Sequence, residues 1–176
     1  MKIDGKDIRP IWFDENSETV QIIDQRLLPH EFVIADLKTV DQVISAIKEM
    51  YVRGAPLIGV TGAYGVYIAA LHSKTDDELI SECSRLKAAR PTAVNLVWGV
   101  DKVLSEVLKV PRSDTRGVEI IEAARKEAGK IAEFEAENCK KIGEYGAPLI
   151  EAISQKKGER VNLLTHCNAG WLACIE

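Results

Sequence analysis

Several features that mark large functional classes are missing from this sequence. Its four cysteines form no Cys-x-x-Cys pair, so nothing indicates a redox dithiol or a cysteine zinc site. Its basic residues are scattered without a Lys/Arg block, and the formal net charge is -4. This charge distribution argues against a nucleic-acid partner. We therefore expect reduced thiols, no metal and no nucleic acid.

Long uninterrupted apolar runs are also missing. The amino-terminal residues lack the long apolar core and small-residue cleavage site of a secretory signal peptide. The most apolar stretch, residues 56–71, is shorter than the roughly 20 residues that a membrane span requires. It is also interrupted by Gly59, Gly62 and Gly65. We expect a cytoplasmic protein without a membrane partner.

What the sequence does contain begins with a small β element over residues 1–38. Apolar residues 11–13 and 19–23 flank the polar residues 14–17, and this pattern indicates a β-hairpin. A third short strand is predicted over residues 31–35.

Residues 39–157 show the periodicity of a helical domain. Thr39 with Gln42, and Thr75 with Glu78, have the spacing of capping boxes at helix starts. Each pair therefore predicts a helix start, and the apolar residues that follow at helical spacing make both helices amphipathic.

A central helix is predicted over residues 56–71, because this stretch is apolar on nearly all sides. Its glycines recur every third residue, so neighbouring backbones could approach one side closely. Two further helices are predicted over residues 92–108 and 115–142. The pentapeptide Gly-Ala-Pro-Leu-Ile occurs at residues 54–58 and again at 146–150. We interpret both copies as helix starts with proline in the first turn.

The last segment changes character again. After a polar connector, residues 161–164 predict a buried strand, followed by a glycine turn and an apolar segment. A parallel α/β domain begins in this way. We expect the class to be α/β, with a β element (1–38), a helical domain (39–157) and the first strand of a parallel-sheet domain (158–176).

Two turns could bind an anion. Arg53 and Gly54 precede Pro56 at a predicted helix start, and Arg90 precedes Pro91 at another. N–H groups at a helix start bind anions, and a guanidinium adds a fork of donors. Each turn alone could be a capped turn with a solvated arginine. Together they favour a phosphate-bearing ligand.

A cysteine lies at the expected carboxyl end of the last strand. Ligands of open α/β sheets bind at this edge, and Cys167 next to a glycine turn there could have a lowered pKa. The alternative is a small buried thiol. His166 and Cys167 are adjacent, so a regular strand would direct them to opposite faces. Cys174 is predicted to lie in the core.

Five motifs in a fixed order carry a family resemblance. They are IRPIW at residues 8–12, DQRLLP at 24–29, MYVRGAP at 50–56, ARPTAVNL at 89–96 and LTHCNAG at 164–170. In this order and spacing the sequence resembles the S-methyl-5-thioribose-1-phosphate isomerases of methionine salvage.

The resemblance implies site residues and a fold. In that family the matching positions contact substrate, here Arg53, Gly54, Ala55 and Arg90, and the cysteine matching Cys167 is catalytic. The family fold is a helical domain with a small β element followed by a Rossmann-like domain. It is similar to the regulatory subunits of the eukaryotic translation initiation guanine-exchange complex. A homodimer is implied by the family alone.

The implied reaction turns S-methyl-5-thio-α-D-ribose 1-phosphate into S-methyl-5-thio-D-ribulose 1-phosphate without a cofactor. The family's glutamine, proton-donor aspartate and Asn-Lys pair belong to a carboxyl-terminal half that this sequence does not include. We therefore expect a truncated Rossmann-like domain, inactive alone, or a second chain that supplies the rest.

The resemblance leaves other readings open. One alternative is a ribose-1,5-bisphosphate isomerase, which would need a further basic pocket. Another is a non-catalytic regulatory subunit, which should lack the cysteine at position 167 and have little use for Arg90. A third is an association surface formed by the apolar residues 171–175.

Overall fold

A computed structural model describes residues 2–3, 5–111 and 116–176, apart from the side chains of Lys6 and Arg116. The chain is mixed α/β, with a helical majority and small antiparallel sheets. The strands are β1 (Lys2–Ile3), β2 (Lys6–Asp7), β3 (Ile11–Asp14), β4 (Thr19–Ile23) and β5 (Ile34–Leu37). The helices are α1 (Val40–Lys48), α2 (Ala55–His72), α3 (Asp76–Ala88), α4 (Val94–Val107), α5 (Arg116–Lys157) and α6 (Trp171–Cys174).

The β element forms as a meander. Strand β3 pairs antiparallel with β4, which confirms the predicted hairpin, and β4 pairs with β5. The third strand begins later than predicted, at Ile34. Its register places buried Leu37 opposite buried Val20, and a one-residue slip would expose this apolar face.

The predicted starts of α1 and α3, at Thr39 and Thr75, are confirmed. Thr39 and Gln42 form the complete reciprocal capping box of α1. At α3 the Thr75 side chain accepts from the Glu78 backbone N–H. The Glu78 carboxylate accepts instead from the Lys74 N–H at 2.7 Å, so this second box is only half formed.

Helix α2 is the centre of the fold, as its apolar composition predicts. By length and composition alone its 18 residues could cross a bilayer. In the structure 78% of the helix is buried within the protein. It is therefore a core helix, and α1, α3, α4 and α5 pack around it.

Glycines allow α4 to lie directly against α2. A Cβ atom at Gly59 would come within 3.0 Å of the Asn95 carbonyl oxygen. A Cβ at Gly62 would come within 2.5 Å of Leu96, and one at Gly99 would overlap the carbonyl of Gly59. The predicted close approach of backbones is confirmed, with α4 as the neighbour.

Helix α5 is longer than predicted. It runs unbroken for 42 residues to Lys157, with Pro148 inside it, so the predicted helix start at residues 146–150 is wrong. Residue 115, the predicted start of this helix, lies outside the described residues. The proline removes one intrahelical hydrogen bond, but this part of α5 is exposed, and water can satisfy the freed carbonyl.

The end of the chain also differs from the predictions. Residues 161–164 form no strand, and Leu164 is fully exposed. A strand needs a partner to bond its backbone groups, and none lies beside this segment among the described residues. The alternative in which residues 171–175 form a free association surface is not supported, because Ala173 and Ile175 are buried within the protein.

The glycine contacts give a stability test. We expect Gly99→Ala to lower the free energy of unfolding by about 1–3 kcal/mol, because the new methyl group meets the Gly59 backbone. The matched control is Gly129→Ala in α5, where nothing lies within 4 Å of the added carbon. This change should raise stability by up to about 1 kcal/mol. Urea denaturation measures both, and equal effects would contradict the packing described.

Candidate functional site

The starts of α2 and α4 differ from those of α1 and α3, which are capped by side chains. Neither Gly54 at the N-cap of α2 nor Ala93 at the N-cap of α4 caps its helix with a side-chain hydrogen bond. Neither helix has an acidic residue in its first turn, whereas α1 and α3 have both a threonine cap and acidic residues. The positive ends of α2 and α4 are therefore left without a compensating carboxylate of their own.

These two helix starts lie side by side. Gly59, near the start of α2, is packed on the backbone of Asn95, near the start of α4. The turns that precede the helices carry Arg53, which is exposed, and Arg90, which is half-buried. Among the described residues neither arginine has a carboxylate within 4.0 Å. The structure thus brings the two predicted arginine turns to one end of the helical domain.

Helix α6 joins the same end of the domain. Ala173 packs against Gly54, whose φ of 115° is a conformation that glycine tolerates and other residues rarely adopt. The Gln25 side-chain amide donates to the Leu172 carbonyl at 2.7 Å. The segment with Cys167 leads directly into this docked helix.

Cys167 is exposed and lies in a bend with a φ of 67°. The expectation that a strand directs it and His166 to opposite faces is wrong, because no strand forms and both residues are exposed. The buried-thiol alternative is also excluded by this exposure. No hydrogen bond joins Cys167 to either arginine among the described contacts, and its link to the arginine turns is through the chain that leads into α6.

The other thiols are in less accessible surroundings. Burial raises the pKa of Cys83 to about 12 and that of Cys139 to about 11. The Cys139 thiol donates to the Cys174 carbonyl at 3.3 Å. Cys174, predicted to lie in the core, is only half-buried, and the neighbouring Ile175 occupies the core instead. Among the described residues no three His, Cys, Asp or Glu side chains gather as metal ligands.

A cleft of about 460 Å³ opens beside α5 and is lined in part by Arg9, Glu133 and Glu176. Arg9 contacts the carboxylates of Glu133 and Glu176, at 2.5 and 2.9 Å. Its guanidinium is therefore already neutralised. The arginine turns, where no carboxylate pairs with the guanidinium among the described residues, suit a phosphate better than this cleft does.

Sequence reasoning assigned no role to Gln25, which is 2% exposed between the arginine turn and α6. Its motif, DQRLLP, contributed only to the family resemblance. The sequence signal that could have found Gln25 is a polar residue placed between Asp24 and Arg26, which are themselves held by their mutual ion pair.

Residues 51–175 match the initiation factor 2 subunit family. The matched region is most of the chain, which therefore belongs to this family.

Within it, the chain is similar to proteins named methylthioribose-1-phosphate isomerase. It is 57% identical over 173 residues to the one from Desulfosudis oleivorans, covering 96% of this chain and 46% of that protein. It is 50% identical to the one from Desulfatibacillum aliphaticivorans, covering 100% of this chain and 48% of that protein. The chain thus spans about half the length of these relatives.

Solved structures give the same two kinds of relative. The 5-methylthioribose 1-phosphate isomerase from Pyrococcus horikoshii OT3 superposes with a TM-score of 0.76 at 36% identity, covering 97% of this chain and 46% of that one. Translation initiation factor eIF-2B, subunit delta, from A. fulgidus has a TM-score of 0.72 at 36% identity, covering 81% and 42%.

The thiol environments predict an order of chemical modification. Iodoacetamide reacts with thiolates, so exposed Cys167 should be alkylated first, Cys139 and Cys174 more slowly, and Cys83 last. Mass spectrometry of timed digests measures the order. A Cys167→Ser chain is the control and should lose only the fast phase. Labelling of Cys83 as fast as Cys167 would contradict the core described above.

Proposed function

We propose that this chain forms the amino-terminal part of a sugar-phosphate isomerase of L-methionine salvage. Its substrate is S-methyl-5-thio-α-D-ribose 1-phosphate, and its product is S-methyl-5-thio-D-ribulose 1-phosphate. The observation that carries the proposal is the pair of adjacent helix starts, each free of acidic residues and preceded by an arginine. The names of the relatives support the same substrate.

In this proposal the arginine turns bind the phosphate and nearby hydroxyls. The anion accepts hydrogen bonds from the backbone N–H of Ala55, which follows Gly54, and from N–H groups in the first turn of α4. Arg53 and Arg90 add guanidinium groups that bond phosphate oxygens in pairs. Binding would neutralise positive charge that the fold leaves uncompensated.

The reaction itself rearranges bonds without an external oxidant. The bond between C1 and the ring oxygen breaks, and a hydrogen moves from C2 to C1. The C2 hydroxyl becomes a carbonyl as it loses its proton, and the ring oxygen gains one. Because phosphate blocks the anomeric oxygen, the ring cannot open as a free hemiacetal does, so a positioned acid must assist.

Cys167 is the proposed catalytic residue of this segment. It acts at the sugar carbons, either in proton transfer or in stabilising the transition state. Its exposure and the neighbouring docked α6 support access to a ligand at the arginine turns. The remaining catalytic groups come from the portion of the relatives' length that lies outside this sequence.

The finer organisation belongs to the same proposal. The units are a β element (1–38), a helical domain (39–157) and the start of a Rossmann-like catalytic domain (158–176). That domain is completed by further sequence or by a second chain. The whole protein is a cytoplasmic homodimer.

Phosphorus NMR of the substrate tests the proposal. The 176-residue chain is mixed with a separately expressed carboxyl-terminal half taken from a relative. A ketose phosphate resonance should appear in the mixture and not with either half alone. With Cys167→Ser the substrate should bind without conversion. No conversion by two folded, associated halves would contradict the proposed isomerase and favour the regulatory or bisphosphate-sugar alternatives.

A second test concerns the guanidinium of Arg53. Arg53→Lys should weaken substrate binding by about 1–3 kcal/mol, because an ammonium cannot replace the fork of donors. Calorimetry on the mixed halves measures the dissociation constant. The control is Arg85→Lys, since Arg85 is already bonded to Asp41 and Glu82 on the surface of α3. Equal affinities for all three proteins would remove Arg53 from the site.

A further inference from the structure

We infer that Gln25 is a positioning residue that couples the guanidinium of Arg53 to the docked helix α6. The inference rests on the proposed function for its consequence in turnover, but its structural part can be measured separately.

The carboxamide of Gln25 contacts both elements at once. Its Nε2 donates to the carbonyl of Leu172 at 2.7 Å, and its Oε1 accepts from Arg53 Nε at 3.4 Å. The side chain is 2% exposed, so water cannot readily replace either partner. One buried amide therefore supplies an acceptor to the arginine turn and a donor to the tail.

The neighbours of Gln25 hold it in place. Its own backbone N–H donates to the Tyr51 carbonyl at 2.9 Å. The Arg26 guanidinium lies 3.3 Å from the centre of the Tyr51 ring and is bonded to Asp24 at 2.8 Å. Asp24 is itself 5% exposed. The segment is thus fixed against the residues that immediately precede Arg53.

The contact to Arg53 uses only the Nε donor of the guanidinium. Gln25 engages Nε, and the two terminal nitrogens keep their donors, with no carboxylate nearby among the described residues. A neutral acceptor orients the guanidinium and leaves its charge in place, whereas a carboxylate would neutralise that charge. Arg53 is therefore held in direction while its charge stays available to an anion.

The second contact of Gln25 is to α6, the helix that follows the segment with Cys167. Ala173 packs on Gly54, and Gln25 bonds the adjacent Leu172 carbonyl, so α6 is attached to the arginine turn at two neighbouring points. If α6 moved away, the buried Gln25 amide would lose its acceptor, which is costly in a site closed to water. The segment with Cys167 is thereby tied to the turn with Arg53.

Two variants separate the two contacts. Gln25→Leu removes both. Gln25→Glu keeps an acceptor for Arg53 but replaces the donor to Leu172 by a carboxylate oxygen, which repels that carbonyl. The control is Gln21→Leu, which removes a partly buried amide bonded to Asp36 at 2.9 Å in the sheet.

Hydrogen exchange of residues 165–176 in the intact chain tests the α6 contact. Both Gln25 variants should accelerate exchange there about tenfold or more, whereas Gln21→Leu should not. The Arg53 Nε–Hε resonance in a nitrogen-15 spectrum tests the other contact. Its proton should move upfield in Gln25→Leu, which removes the acceptor, and downfield in Gln25→Glu, whose carboxylate is a stronger acceptor. Unchanged exchange, or an Arg53 resonance indifferent to Gln25→Leu, would overturn the coupling.

Turnover by the mixed halves distinguishes positioning from simple destabilisation. Both variants should lower kcat about tenfold, because both lose the donor to Leu172. KM should rise about tenfold in Gln25→Leu, because Arg53 loses its orientation, and should rise further in Gln25→Glu, because the carboxylate neutralises the guanidinium. Identical kinetics for the two variants would reduce Gln25 to a packing residue. If the parent halves show no turnover, the proposed function fails, and the exchange and resonance measurements still decide whether Gln25 couples the two elements.

Discussion

The close approach of α2 and α4 is the constraint on which the rest of the described structure depends. Gly99 lies against the Gly59 carbonyl, and Gly59 in turn lies against the Asn95 backbone. A side chain at Gly99 would meet backbone atoms, which cannot rotate away as a flexible side chain can. The first turns of the two helices are therefore held side by side. This packing, rather than any contact between the arginines, brings Arg53 and Arg90 to one end of the domain.

The same two helices forgo the local stabilisation that their neighbours have. A side-chain cap contributes about 1 kcal/mol to a helix, and α1 has a complete box at Thr39 with Asp41 in its first turn. Gly54 and Ala93 provide no such cap. The N–H groups in the first turns of α2 and α4 therefore have no side-chain acceptor from a cap, which is the arrangement that the proposed anion site requires.

The two copies of Gly-Ala-Pro-Leu-Ile show how far local sequence determines structure. The first copy starts α2, because Gly54 adopts a positive φ beneath Ala173, and Leu57 and Ile58 are buried. The second copy lies inside α5, where nothing approaches within 4 Å of the added carbon at Gly146, and Pro148 is accommodated in the helix. Identical letters thus give a helix start in one environment and a helix interior in the other. The capping box at Thr39 was predictable because all of its partners are local.

The features that sequence analysis missed depend on residues far apart in the chain. Gln25 and Leu172 are separated by 147 positions, and no local pattern indicates that they meet. Residues 161–164 have the composition of a buried strand, but a strand forms only where another supplies hydrogen bonds. The two arginine turns are local features, so the sequence alone is enough to predict an anion site at Arg53 and Arg90. The contacts that join the Arg53 turn to α6 depend instead on packing between distant parts of the chain. Catalysis at Cys167 would depend on that packing as much as on the thiol.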